Sequence, residues 1–179
     1  IRKTFDARTS ARDLALAQAR QLTRACSLAI RAVHRDEADV MNAHLQEASQ
    51  LADTLRNSLS NYPDLFYAGY TQDALKEFVE ANVTCALIRN EPLQTPEELV
   101  VEPSTYLNGL AEVVGELRRR SLDILRHGYS PEVEALCSGG FELEVGFSPA
   151  RLRELAKMDG AVIIDTDTWL IRKANVQLI

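Results

Sequence analysis

Cysteine is scarce in this sequence: three residues in 179, Cys26, Cys85 and Cys137, with no Cys-x-x-Cys pair. An odd, scattered set supplies neither a disulfide framework nor the ligands of a zinc finger. A reduced, cytoplasmic setting is the expectation. No apolar run approaches the ~18 residues that a membrane span needs. The opening Ile-Arg-Lys-Thr-Phe-Asp also lacks the apolar stretch of a secretory signal. Glycine (8) and proline (6) are few and sit at joints rather than inside runs, and no stretch sustains period-two alternation. Aromatic residues make up only 6% of the chain, so recognition of nucleic-acid bases by stacking is expected to be weak. What remains is a soluble all-α protein, with residues 1–179 read as one domain. At that length a chain buries roughly two-thirds of its unfolded surface without covalent staples.

The net charge of −6 disfavours nucleic acid on its face, but the charge is unevenly spread. Residues 1–35 hold eight basic groups against Asp6 and Asp13, a local excess of +6, and the remainder carries −12. Such asymmetry says more about partners than the total does.

Periodicity and punctuation place helices at about 9–35, 37–60, 71–89 and 104–126. Asn61-Tyr62-Pro63-Asp64 breaks the chain, because a residue before proline is pushed out of helical geometry. Thr95-Pro96-Glu97-Glu98 reads as a capping box opening a short helical turn. Ser130-Pro131 and Ser148-Pro149 are further helix starts, the second launching a terminal helix to about Asn175 with Trp169 in its core or interface. Ser138-Gly139-Gly140 is a helix break, and Asp165 and Asp167 are expected to face solvent.

Two helix faces carry charge in patterns with chemical meaning. On the first helix, Leu22, Ala25, Cys26, Ala29 and Val33 form a core stripe. Arg20, Arg24, Arg31 and Arg35 gather elsewhere, within roughly 60° of one another around the axis. A row of this kind tracks phosphates, or else forms a solvated face or a seat for acidic helices. On the third helix the stripe is Leu75, Phe78, Val79, Asn82 and Ala86, with Glu77 and Glu80 opposite. On the helix from Ser104 it is Tyr106, Leu110, Val113, Val114, Leu117 and Leu125, with Glu112 and Glu116 pointing away. Brought together, the four glutamates offer hard oxygen ligands of the kind that Mg²⁺ or Mn²⁺ takes; apart, they are ordinary wet side chains. Gly109 and Gly115 bracket Glu112, and the close approach of another backbone there would half-bury these acids.

Other chemistries find less support. His34, His44 and His127 lie in no Glu-x-x-His arrangement, which leaves out the di-iron bundle motif. No Ser/His/Asp or Cys/His set emerges, and Cys26 and Cys85 sit on or beside core stripes, where thiols are inert.

Three segments resemble the translin family, in its translin-associated factor X branch: Ala-Ile-Arg-Ala-Val-His-Arg (29–35), Ala-Leu-Lys-Glu-Phe-Val-Glu-Ala (74–81), and Tyr-Leu-Asn-Gly-Leu-Ala-Glu-Val-Val-Gly-Glu-Leu-Arg-Arg (106–119). Helix order and spacing match over most of the chain, and only loosely after about Ser130. The resemblance implies a subunit of about seven helices in a closed, octamer-like shell that binds single-stranded RNA and DNA. It also implies a Mg²⁺-dependent endoribonuclease in which Glu77, Glu80 and Glu112 carry catalysis and, with Glu116, the metal. Glu112 stands where the family pattern has Asp, and the long insert of animal relatives between the two acidic helices is absent. A compact archaeal homologue that assembles with itself is the expectation. On that footing Arg20, Arg24, Arg31 and Arg35 guide the strand, and Arg119 and Arg120 reach phosphates near the scissile bond. The alternatives are a non-catalytic single-strand-binding scaffold and an all-α nucleoside-triphosphate pyrophosphohydrolase.

Overall fold

The computed structural model describes residues 2–127 and three short strands further along the chain. Five helices make up the first part: α1 (Arg2–His34), α2 (Ala38–Ser58), α3 (Pro63–Phe66), α4 (Gly69–Arg89) and α5 (Pro103–Leu125). Helix α1 packs on α2 and α4, and α4 packs in turn on α5. The small buried residues Ala15, Ala19, Ala25 and Ala29 of α1 let neighbouring helices lie close along it.

The joints obey local chemistry. Asp36, at φ 59°, turns the chain out of α1, and the Glu37 amide bonds back to the Ala32 carbonyl at 3.0 Å. Asn90, at φ 55°, caps α4 in the left-handed conformation that asparagine tolerates. Tyr62-Pro63, expected as a break, instead opens the single-turn α3, with proline at the first helical position. Thr95 and Glu98 make the expected reciprocal bonds, Glu98 N–H to Thr95 Oγ1 at 3.2 Å and Thr95 N–H to Glu98 Oε2 at 2.8 Å. They close a turn rather than a helix. Arg56 holds that turn by donating to the carbonyls of Leu99 and Val100, both at 3.2 Å.

Helix α4 departs most from the sequence expectation. Thr71, Leu75, Val79, Glu80, Val83 and Thr84 are all buried, on every side of the helix. Packed against α1, α2 and α5, it leaves Asp73 exposed and Glu77 half-buried on the side opposite the core stripe, while Glu80 and Thr84 on that same side are buried. Leu75, Phe78 and Val79 are buried as expected, whereas Asn82 and Ala86 are half-buried. On α5, Tyr106, Leu110, Val113 and Leu117 fill the core, but Leu125 is exposed at the helix end.

The terminal helix is not found where strands are described. Leu143–Glu144 (β1), Val162–Asp165 (β2) and Leu170–Lys173 (β3) form an antiparallel sheet in the order β1-β3-β2, with Val162 opposite Lys173 and Asp165 opposite Leu170. The β-branched run Val162-Ile163-Ile164 explains the change, because such side chains are stiff in a helix and suit a pleated surface. Ser130-Pro131, Ser138-Gly139-Gly140, Cys137, Ser148-Pro149, Asp167 and Trp169 lie outside the described residues.

The two α5 glycines differ. A Cβ at Gly109 would stand 2.7 Å from Val79 Cβ and 3.0 Å from the Lys76 carbonyl, so α4 and α5 are in contact there. A Cβ at Gly115 meets nothing within 4 Å, and the expected close approach at that residue is absent. Gly109→Ala should therefore destabilise the fold by about 1–3 kcal/mol through overpacking. Gly115→Ala should stabilise it by up to about 1 kcal/mol through helix propensity. Urea denaturation of the two variants checks both signs.

Candidate metal centre

Close approach of α4 and α5 at Gly109 fixes where the next turn of α5 falls. Glu112 lies on that turn and meets α4 beside Glu77 and Glu80. One carboxylate oxygen from each of Glu77, Glu80 and Glu112 lies within 4.8 Å of the others. Glu80 is only 9% exposed and has no hydrogen bond or ion pair among the described residues, whereas Glu112 stands at the open side. Burial, then the neighbouring charges of Glu77, Glu112 and Glu116, push the Glu80 pKa up to about 7, with Lys76 opposing. Across the seam from α1, the buried Cys26 thiol is also pushed well up, by burial and by Glu77 and Glu80. It is a neutral packing group, not a nucleophile. Cys85, pushed up to about 12 by burial, is another.

The donor set is suited to a hard divalent ion. It is three carboxylates with no nitrogen or sulfur donor, and Mg²⁺ and Mn²⁺ prefer such oxygens. Ligand oxygens about 2.1 Å from an octahedral ion lie roughly 3–4.2 Å apart. The three groups need only a small inward adjustment to reach that spacing.

Glu116 is not part of this group. His34 Nε2 donates to Glu116 Oε2 at 2.5 Å, and Arg119 lies 3.6 Å from the same oxygen. The His34 ring is 4% exposed, and its Nδ1 is buried without a partner among the described residues. Arg120 is a correction to the phosphate-binding set. Its side chain, 12% exposed, binds Asp36 at 3.0 Å and the His34 carbonyl at 3.2 Å, and so fastens α5 to the end of α1. Arg119 remains exposed. Arg20, Arg24, Arg31 and Arg35 are all exposed along α1 as expected, and no carboxylate among the described residues pairs with them.

Two residues are not anticipated by the sequence patterns. Lys76 Nζ lies 2.6 Å from Glu112 and 3.6 Å from Glu77; the hydrogen bond to Glu112, with the charges of Glu112, Glu77 and Asp73, raises its pKa against the opposing effect of burial. A signal for it exists in the spacing, four residues before Glu80 and thus on the same side of the helix. His34 looks in the sequence like a cation at a helix end, because nothing local marks a partner 82 residues away.

No family model matches the chain. Among solved structures, AfC3PO is 28% identical with a TM-score of 0.70, covering 76% of this chain and 70% of that one. The fold is that of C3PO. AfC3PO bound to duplex RNA gives 29% identity and 0.69 over the same shares, and apo-NeC3PO gives 19% and 0.69, covering 86% of this chain and 75% of that one. These neighbours are translin-type assemblies. In sequence, a segment is 48% identical over 80 residues to the DNA integrity scanning protein DisA of Beutenbergia cavernae, which is 44% of this chain and 21% of that protein. The DisA of Kineococcus radiotolerans is 42% identical over 95 residues, 49% of this chain and 26% of that protein. The chain thus spans about a quarter or less of the length of these curated relatives. No described helix is long and apolar enough to cross a membrane.

The raised Glu80 pKa has a direction in stability. The folded protein keeps a proton there that the unfolded chain loses above about 4.5, so stability falls as pH rises from 4.5 through 7. Metal-free Glu80→Gln should therefore be more stable than wild type at pH 8, by on the order of 2 kcal/mol. The difference should largely vanish near pH 4, below both pKa values. Urea titrations in EDTA at the two pH values measure it.

Proposed function

We propose that this protein is a metal-dependent nuclease of translin type, acting on single-stranded RNA and assembled with copies of itself into a closed, octamer-like shell in the cytoplasm. The observation that carries the reading is the meeting of Glu77, Glu80 and Glu112 within 4.8 Å around a buried acid that lacks any other partner among the described residues. Mg²⁺ is the proposed ion, with Mn²⁺ as a substitute, held by these three residues. A bound divalent ion supplies an acidified water and charge stabilisation at the phosphate.

The chain's own residues set the conditions for that chemistry. Glu80 must give up its proton, which its surroundings release near pH 7, so the site forms more readily as pH rises. Glu112, at the open side, is the ligand nearest an incoming strand. Arg20, Arg24, Arg31 and Arg35 offer a row of positive charge along α1, and Arg119 adds an exposed guanidinium beside Glu116. The AfC3PO complex with duplex RNA supports RNA as the ligand. The DisA relatives, whose name speaks of DNA, make single-stranded DNA the second nucleic acid to test.

A cavity of about 530 Å³ is lined by Arg56, Phe66, Tyr67 and Val100, and one of about 360 Å³ by Arg8, Arg12 and Tyr70. Neither is lined by Glu77, Glu80 or Glu112. The second reading is a non-catalytic single-strand-binding scaffold, favoured by Lys76 already neutralising part of the cluster.

Incubation of labelled single-stranded RNA with Mg²⁺ or with EDTA separates the two. Cleavage should require Mg²⁺ and be lost in Glu80→Ala and Glu112→Ala, with binding retained; cleavage at wild-type rate in either variant overturns the assignment. Reversing charge at Arg24 and Arg31 should flatten the salt dependence of RNA binding, by about one unit of logarithmic slope for each phosphate no longer neutralised. An unchanged slope removes the α1 row from the interface.

A further inference from the structure

Glu77, Glu80 and Glu112 together carry up to three negative charges, and among the described residues one cation reaches them. The Lys76 ammonium bridges α4 and α5, 2.6 Å from Glu112 and 3.6 Å from Glu77. It can do so because the helices touch at Gly109, where the Lys76 carbonyl lies 3.0 Å from the position of a Cβ. That approach delivers Glu112, three residues on, to the lysine one turn before Glu80. We propose that Lys76 is a built-in counter-cation which a divalent ion must displace from Glu112 in order to bind; this rests on the metal-centre reading above.

Lysine and metal compete for the same oxygens. A carboxylate oxygen that accepts a short hydrogen bond from an ammonium is not free to ligate an ion, and the two positive charges repel at this range. With Lys76 in place the acids stay together without metal, and metal binding becomes an exchange of one cation for another. The lysine therefore sets the concentration of divalent ion at which the site loads.

The test uses the full chain without nucleic acid, with Mn²⁺ binding followed by calorimetry and by the paramagnetic resonance of the ion. Lys76→Met should bind Mn²⁺ on the order of tenfold more tightly than wild type. Lys76→Arg, which keeps the charge, should stay close to wild type. Wild-type or weaker affinity in a Lys76→Met protein with native circular dichroism overturns the proposal; if that variant does not fold, Lys76→Gln is judged by the same criterion. Failure of the underlying reading looks different. Wild type then binds no Mn²⁺, or Glu80→Gln binds it as well as wild type does, whatever residue stands at 76.

Discussion

Like charge held at short range is the constraint around which this molecule is arranged. Glycine at 109 lets α5 touch α4 against Val79 and the Lys76 carbonyl, and the helical repeat then presents Glu112 to Glu77 and Glu80. Carboxylates in such a seam repel one another and lose solvation, and burial dominates the rise of the Glu80 pKa to about 7. A sequence under pressure for stability alone would place apolar side chains there, since a core gains nothing from acids that lack partners. The divalent cation proposed above would offset that cost, of which Lys76 answers only part.

The surroundings divide into groups that serve this seam and groups that hold the helices. Arg120 and Asp36 tie α5 to the end of α1, and His34 holds Glu116 on the same side. That junction fixes the angle at which Glu112 is offered, while removing Glu116 from the ligand set. Along the outside of α1, four arginines remain in solvent without carboxylate partners among the described residues. Three acids thus meet in the α4–α5 seam, while four arginines line one long edge of α1. A polyanionic strand lying on that edge would meet local positive charge despite a net charge of −6.

Much of this is legible in the residues. The four long helices, the core stripe of α1 and the Thr95/Glu98 cap follow from spacing and capping chemistry; the meeting of acids from two helices is left open by spacing and implied only by the family resemblance. Amphipathic logic fails on α4 at Glu80 and Thr84, which are buried on the side opposite the core stripe, because periodicity cannot tell a second buried face from a wet one. It fails on Glu116 and Arg120 for another reason. Their partners His34 and Asp36 are more than 80 residues away in sequence, and one-dimensional spacing has no access to such pairs. At Val162–Asp165 and Leu170–Lys173, helix-start punctuation upstream and β-branched composition point in opposite directions, and the strand pairing shows that composition prevails. Gly109 and Gly115 look alike in sequence, yet only the first marks a helix contact.

If Glu77, Glu80 and Glu112 form one divalent-cation site, the ion itself can be located among them. Anomalous diffraction at the manganese edge, from crystals of the full chain grown with Mn²⁺, tests this most directly. The expected result is a manganese peak about 2.1 Å from an oxygen of each of the three glutamates, with the Lys76 ammonium no longer on Glu112. Manganese bound elsewhere while these carboxylates keep their lysine and stay metal-free would contradict it.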